Sequence, residues 1–454
     1  MGRPIRFAVL LCLCFSAPVL AEDGERDMSF WGDGRLSISS NVDFNFAGMA
    51  SDPQGQLAVL YSYMPVGAVT AATAWRSVGD SVVGDPCIID LGLIDPPSST
   101  VVDDAYARDI AFDAYGRLLV LMRIDSDAFD TAHFVYAYDF PSCQLVASYG
   151  DGGLAQVLSW NNLDPSYCGR LRPLANGKTM CVGSYYDDLN LGVLVRMIQV
   201  NGSLGQAYYA PAGTFASNPS GVDAVVEANG HVVAAAATSF GQRDFFVVDF
   251  AADGTVAGAV TVPFDLGADN NDDAKSIAAT ADGRIVVVGS AQLSGLFVMT
   301  EHAVAVLHRN TQGSLVLDPS FSGDGKLTFD FSGWSWNGLE DVAAQGDGKV
   351  VVAGASKQIG ADYAMLVARL LPDGSFDPDF YSAGSGVRTL EFDVGSPYDD
   401  HAYRVALQNG RVVLGGSVDG ADGIATIGVA RLLNSYVFGD GFEGPQAPGW
   451  LWVE

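Results

Sequence analysis

A glycine turn followed by an apolar run recurs seven times along this chain, and nothing else in the sequence constrains the fold as tightly. In order the pieces read PQGQLAVLYS, AYGRLLVLM, ANGKTMCVGS, ANGHVVAAAA, ADGRIVVVGS, GDGKVVVAGAS and QNGRVVLGGS. Their turn glycines, Gly55, Gly116, Gly177, Gly230, Gly283, Gly348 and Gly410, lie 61, 61, 53, 53, 65 and 62 residues apart. A β-helix has much shorter coils, and a TIM-type barrel needs an amphipathic helix of ten or more residues in each unit, a pattern absent here. Five of the seven turns carry Asn-Gly or Asp-Gly, a pair suited to the positive φ angles of a tight hairpin.

Each unit repeats one order of elements, clearest in the last three. A short run (SIAAT, DVAAQ, RVALQ) enters the turn, a Val-rich run leaves it, a third run follows a variable loop, and a fourth opens on a GDG or similar turn. Four short strands per unit predict an all-β chain: a seven-bladed β-propeller of four-stranded antiparallel blades. The VVV runs are continuous rather than alternating, as strands covered on both faces require. Gly289, Gly354 and Gly415 in these runs would let adjacent backbones approach closely. The seventh unit ends after its third strand, while SFWGDGRL at 29–36 repeats the internal SFSGDGKL at 320–327. Residues 29–38 are therefore expected beside 426–433, so that the ring is closed by the N-terminal strand. The rival for that slot, VFGDGFE at 437–443, lacks the apolar alternation that should follow.

Units such as DGKVVVAGASKQIGADYAMLVARLLPDGSFDPDFYSAGSGVRTLEF, at 347–392, resemble the delta-60 repeat family of secreted bacterial β-propeller proteins. The pattern is strong over 272–433 and degenerate over 29–271. The resemblance implies a propeller and supplies no catalytic residue set. The stretch SYVFGDGFEG resembles the GFE-containing tail of secreted proteins from some Gram-negative bacteria.

Residues 1–21 read as a secretory signal peptide: Arg3 and Arg6, an apolar run, then Val19 and Ala21 before the cut. The expected parts are thus the signal 1–21, the propeller 22–437 and a tail 438–454, in a secreted or periplasmic protein. The formal charge is -29, and loss of Arg3 and Arg6 takes it to -31. Such a surface repels phosphate backbones and anionic headgroups, which argues against nucleic acid partners and membrane insertion. Cys87, Cys143, Cys168 and Cys181 remain after cleavage, an even number that suggests disulfides in an exported chain. Of three pairings, Cys168–Cys181 with Cys87–Cys143 is favoured, since the former pair flanks one predicted hairpin.

Motifs for chemistry are few. GDGFEG at 439–444 matches a dinucleotide fingerprint, but Pro445 and Pro448 exclude the helix it needs. Acidic pairs precede several first strands: Asp103-Asp104, Asp272-Asp273 and Asp399-Asp400, with Glu340-Asp341 nearby in another unit. Asp side chains in such places hold backbone amides, and this turn role outweighs calcium ligation by Asp269, Asp272 and Asp273, whose loop lacks a complete metal-binding spacing. Calcium is the one cofactor these loops suggest. Aromatic residues gather in loops expected on one face: Trp160, Tyr185, Tyr186, Trp334, Trp336 and Tyr398, interleaved with Asp187, Asp188 and Asp399. Singly they suit inter-blade packing; together with His401 they make a candidate ligand face. The five histidines are scattered, with no G-x-S-x-G and no H-E-x-x-H. The sequence therefore suggests an exported binding or scaffold module for a protein or glycan, with a propeller hydrolase or lyase as the alternative.

Overall fold

The computed structural model describes residues 23–38, 44–52, 54–63, 71–78, 81–82, 85–89, 102–126, 131–140, 142–161, 167–187, 190–210, 220–237, 243–266, 271–293, 299–330, 337–357, 362–381, 384–392, 399–419 and 424–434. Among them are seven antiparallel sheets and no helix. These are the predicted blades, with first strands Phe44–Ser51, Val102–Phe112, Tyr167–Pro173, Ser220–Val226, Asp273–Ala279, Gly338–Ala344 and His401–Gln408. First strands of neighbouring blades approach one another, which places them around the axis. Apolar residues fill the spaces between blades. Val286 and Val304 of blade five meet Val352 and Leu366 of blade six, and Met49 and Val59 of blade one meet Val413 and Val429 of blade seven. This two-sided cover explains the continuous apolar runs: all six residues of Val232–Ala237 are buried.

The turn glycines all have positive φ, from 71° at Gly410 to 85° at Gly283 and Gly348. In the first six hairpins glycine alone takes that conformation, after a turn such as Gly283 N–H to Thr280 O (2.9 Å). Only Asn409-Gly410 has both residues positive, so the Asn/Asp-Gly spelling stands mostly for a type I turn with a glycine bulge rather than a two-residue hairpin. The strand glycines differ from expectation in one detail. A Cβ on Gly289 or Gly354 would lie 1.9 Å from a carbonyl of its own blade's first strand, whereas Gly415 faces the side chains of Met49 and Phe46.

The N-terminal strand Arg35–Ile38 is the outer strand of the seventh sheet, in register Leu36 with Val429 and Ile38 with Ile427. More than a strand is repeated. Phe30 N–H bonds Asp27 O and Gly34 N–H bonds Phe30 O, as Phe321 does with Asp318 and Gly325 with Phe321 inside blade five. Positive φ falls on Trp31, Gly32 and Gly34 in one copy and on Ser322, Gly323 and Gly325 in the other. Asp27 accepts from Arg431 Nε and Arg411 Nε, each at 2.9 Å, and the Arg431 guanidinium lies 4.6 Å over the Phe30 ring. Blade six builds the same corner from Asp377, Phe380 and Arg369. The rival segment 437–443 lies outside the described residues.

Both disulfides pair as favoured. Cys168–Cys181 joins the first two strands of blade three, and Cys87–Cys143 joins blades one and two.

Candidate functional site: the axial end of the ring

Every first strand carries a β-bulge at the same height, leaving Ala47, Arg108, Gly169, Val222, Lys275, Glu340 and Tyr403 without a cross-strand partner. A bulge bends its strand and re-aims the next side chain. The next residues are Gly48, Asp109, Arg170, Asp223, Ser276, Asp341 and Arg404, and they form one ring of groups.

Three aspartates of this ring hold the neighbouring blade by its backbone. Asp109 accepts from Leu171 N–H (2.8 Å), Asp223 from Ile277 N–H (3.4 Å) and Asp341 from Val405 N–H (2.9 Å). The Ser276 hydroxyl bonds Asp341 (2.7 Å) and lies 3.0 Å from Asp223. Arg172 clamps Asp223 with two nitrogens, its Nε at 2.7 Å. Burial alone would raise the Asp223 pKa, but Arg172 and Arg170 hold it below the usual carboxylate range. Burial works against the Arg404 cation, aided by Arg170, and lowers its pKa. Glu340 behaves oppositely: burial pushes its carboxyl up despite Lys275, Arg170 and Arg404 nearby.

Above this charged layer lies the end of the ring carrying the connections from second to third and from fourth to first strands. An aromatic strip crosses three blades there. Tyr363 packs on His401 (4.4 Å), His401 stacks with Tyr403 (5.8 Å), and Tyr403 stacks with Phe46 (5.9 Å). All four are half-buried. Asp399 accepts from Tyr363 N–H (3.0 Å) and sits 3.7 Å from Lys357, whose ammonium covers the Tyr363 ring at 4.5 Å. Burial lowers the His401 pKa, opposed by Asp399 and Asp419, and raises that of Asp419.

Of the sequence candidates, Asp399 and His401 come together in this strip. Tyr185 is buried against Tyr209 (5.1 Å), in the packing role single aromatics were expected to play. Trp160, Tyr186 and Asp187 lie on described strands of blades two and three at the same end, while Asp188, Trp334, Trp336, Tyr398 and Asp269 lie outside the described residues. Both Asp272 oxygens are engaged by amides, Phe264 N–H at 2.8 Å and Gln292 N–H at 3.3 Å, and Asp273 pairs with Arg243 at 3.2 Å. Asp400 likewise accepts from Phe392 N–H (2.8 Å). Glu227, His231 and Asp249 are close enough to share a cation, but the Arg309 guanidinium already bridges the two carboxylates, 2.8 Å from Asp249.

The axial ring was missed in the sequence, although it has a signature. Its residue stands seven positions before the turn glycine in six units and six before it in the seventh, whose turn is one residue shorter.

A family match agrees with the propeller architecture. Residues 345–380 match a family model described as "Domain of unknown function (DUF5122) beta-propeller". No curated protein matches the chain. Among solved structures, a protein of unknown function from Dyadobacter fermentans is similar over 88% of this chain and 98% of its own, at 13% identity and a TM-score of 0.47. An α-L-arabinanase from Penicillium chrysogenum, complexed with arabinobiose, is similar over 74% of this chain and 98% of its own (14%, 0.45). The β-propeller domain of the Trilobed protease from Pyrococcus furiosus covers 86% and 95% (7%, 0.44). None of these likenesses bears on activity, and what the family match and the strand topology together give is a β-propeller of seven four-stranded blades.

Proposed function

We propose that the chain is an exported binding or scaffold module whose ligand, a protein or a glycan, docks on the end of the ring bearing the strip Tyr363–His401–Tyr403–Phe46. The observation that carries this reading is the contrast between two layers. The strip offers half-buried aromatic faces rimmed by Asp399 and Asp419, while the three aspartates beneath it are tied to backbone amides of the next blade. Aromatic surface with a polar edge serves recognition, and Trp160, Tyr186, Asp187, Asp188, Trp334, Trp336 and Tyr398 would extend it. An array of immobilised glycans and proteins tests this: Tyr403→Ala and His401→Ala should each weaken any captured ligand at least tenfold. Binding equal to the parent in both variants rejects the assignment.

One observation favours a second reading, a hydrolase or lyase acting at the same face. Glu340 lies on the axis with its carboxyl held toward the protonated form by burial and with Lys275 close by, a pairing suited to proton transfer. Here Glu340→Gln would abolish turnover while leaving ligand capture intact.

A further inference from the structure

At the opposite end of the ring, between blades three and four, lies a cleft of about 320 Å³, well beyond the ~30 Å³ that one water occupies. The repeat explains why it is there. In six blades the side chain following the turn glycine is tied down: Gln56 to Asp52, Arg117 to Asp113, His231 to Asp249, Arg284 to Asp282, Lys349 to Asp377 and Arg411 to Asp27. In blade three that residue is Lys178, and its ammonium has no partner among the described residues. Two changes release it. Where blades one and two place Asp52 and Asp113 four residues earlier, blade three has Leu174, and where Arg117 reaches across to Val200 O of the next blade (2.8 Å), the shorter Lys178 does not cross.

Among the described residues Lys178 is the only charged group lining the cleft. The lining also holds three primary amides, Asn176, Gln199 and Gln206, the last of which donates its Nε2 to Asp253 O, the Tyr208 ring, and apolar Leu174 and Val232. One cation, several neutral hydrogen-bonding groups and apolar side chains match a hydroxylated ring with an apolar face and a single carboxylate. We propose that this cleft binds a uronic acid unit, its carboxylate on Lys178 and its hydroxyls on the amides. The site is independent of the aromatic strip and lies on the other end of the ring.

Titration with sodium glucuronate, glucose and acetate, followed by ligand-observed NMR, tests the assignment. Glucuronate should bind saturably, glucose and acetate at least tenfold more weakly, and Lys178→Met should weaken glucuronate at least tenfold. Leu174→Asp is the second variant. It restores the carboxylate that blades one and two possess, so it should tie Lys178 down and suppress binding in a protein whose cooperative melting curve shows that it is folded. Absence of saturable glucuronate binding, equal affinity for acetate or glucose, or indifference to both variants would each overturn the proposal.

Discussion

Replacing Phe30 by alanine tests whether the N-terminal segment is an integral part of the seventh blade. Phe30 is 0% exposed, and its ring lies 4.6 Å beneath the Arg431 guanidinium. Truncating a buried phenylalanine costs about 3–5 kcal/mol, and the cation–π contact places the loss near the middle of that range or above. Phe321, 1% exposed in the same corner of blade five, is the internal control, because there the corner is continuous with its own blade. Urea unfolding should give about 4 kcal/mol for each variant. A split protein separates closure from ordinary core loss: a chain beginning at residue 41 should be stabilised by a peptide of residues 22–40. The same ~4 kcal/mol then appears as roughly thousandfold weaker binding of the Phe30→Ala peptide, at ~1.4 kcal/mol per factor of ten. If Phe30→Ala unfolds within about 1 kcal/mol of the parent while Phe321→Ala shows the full cost, or if the peptide leaves the truncated chain unaffected, the segment is not holding the ring.

Two further outcomes are expected. Burial raises the Asp272 carboxyl to about 6, so the folded chain binds a proton that the unfolded chain has released. Stability should fall as pH rises from ~4 to ~6, by up to about 3 kcal/mol, and Asp272→Asn, which places in blade five the residue blade six has at Asn337, should flatten that limb of the urea-derived profile. A parent profile flat across the window refutes the assignment. Asp27 and Asp223, held below the usual range, act in the other direction, and their contribution is lost only as pH falls below ~4. The disulfide separations of 56 and 13 residues correspond to about 4 and about 3 kcal/mol in the chain-entropy model, so Cys87→Ser with Cys143→Ser should destabilise more than Cys168→Ser with Cys181→Ser. The reverse order would show that native-state strain or residual unfolded structure dominates.

The blades were legible because each unit writes its turn and its two-sided burial locally: Gly283 followed by IVVVG needs no distant partner to be read. The outer strand of blade seven was legible for a related reason, since 29–36 copies an internal octet letter for letter at most positions. The strip was not. Phe46, Tyr363 and Tyr403 lie on three blades, and their neighbourhood follows from how blade seven packs against blades six and one, which no spacing within a unit records. Lys178 was invisible for the opposite reason. In the sequence it is one more basic residue after a turn glycine, and only the fate of its six counterparts shows that it lacks a partner.

The odd number of blades forces a break in the axial ring. Around the axis an aspartate alternates with another residue, Asp109, Asp223 and Asp341 in blades two, four and six against Arg170, Ser276 and Arg404 in three, five and seven. Each aspartate holds the blade that follows it. An alternation of period two cannot close on seven, so one blade must break it, and the break falls at blade one, where the position is Gly48. A Cβ there would lie 2.9 Å from Asp109 Oδ1 and 3.1 Å from Ile110 N, space that instead admits Arg404 of blade seven, 3.4 Å from Asp109. Blade one is thus the one blade that neither carries an aspartate in this ring nor has its backbone gripped by one. Its Phe46 stacks instead on Tyr403 of blade seven. Aromatic stacking thus supplements the charged layer at the blade that the alternation leaves out, while the rest of the strip, Tyr363 on His401, crosses a junction that Asp341 also holds.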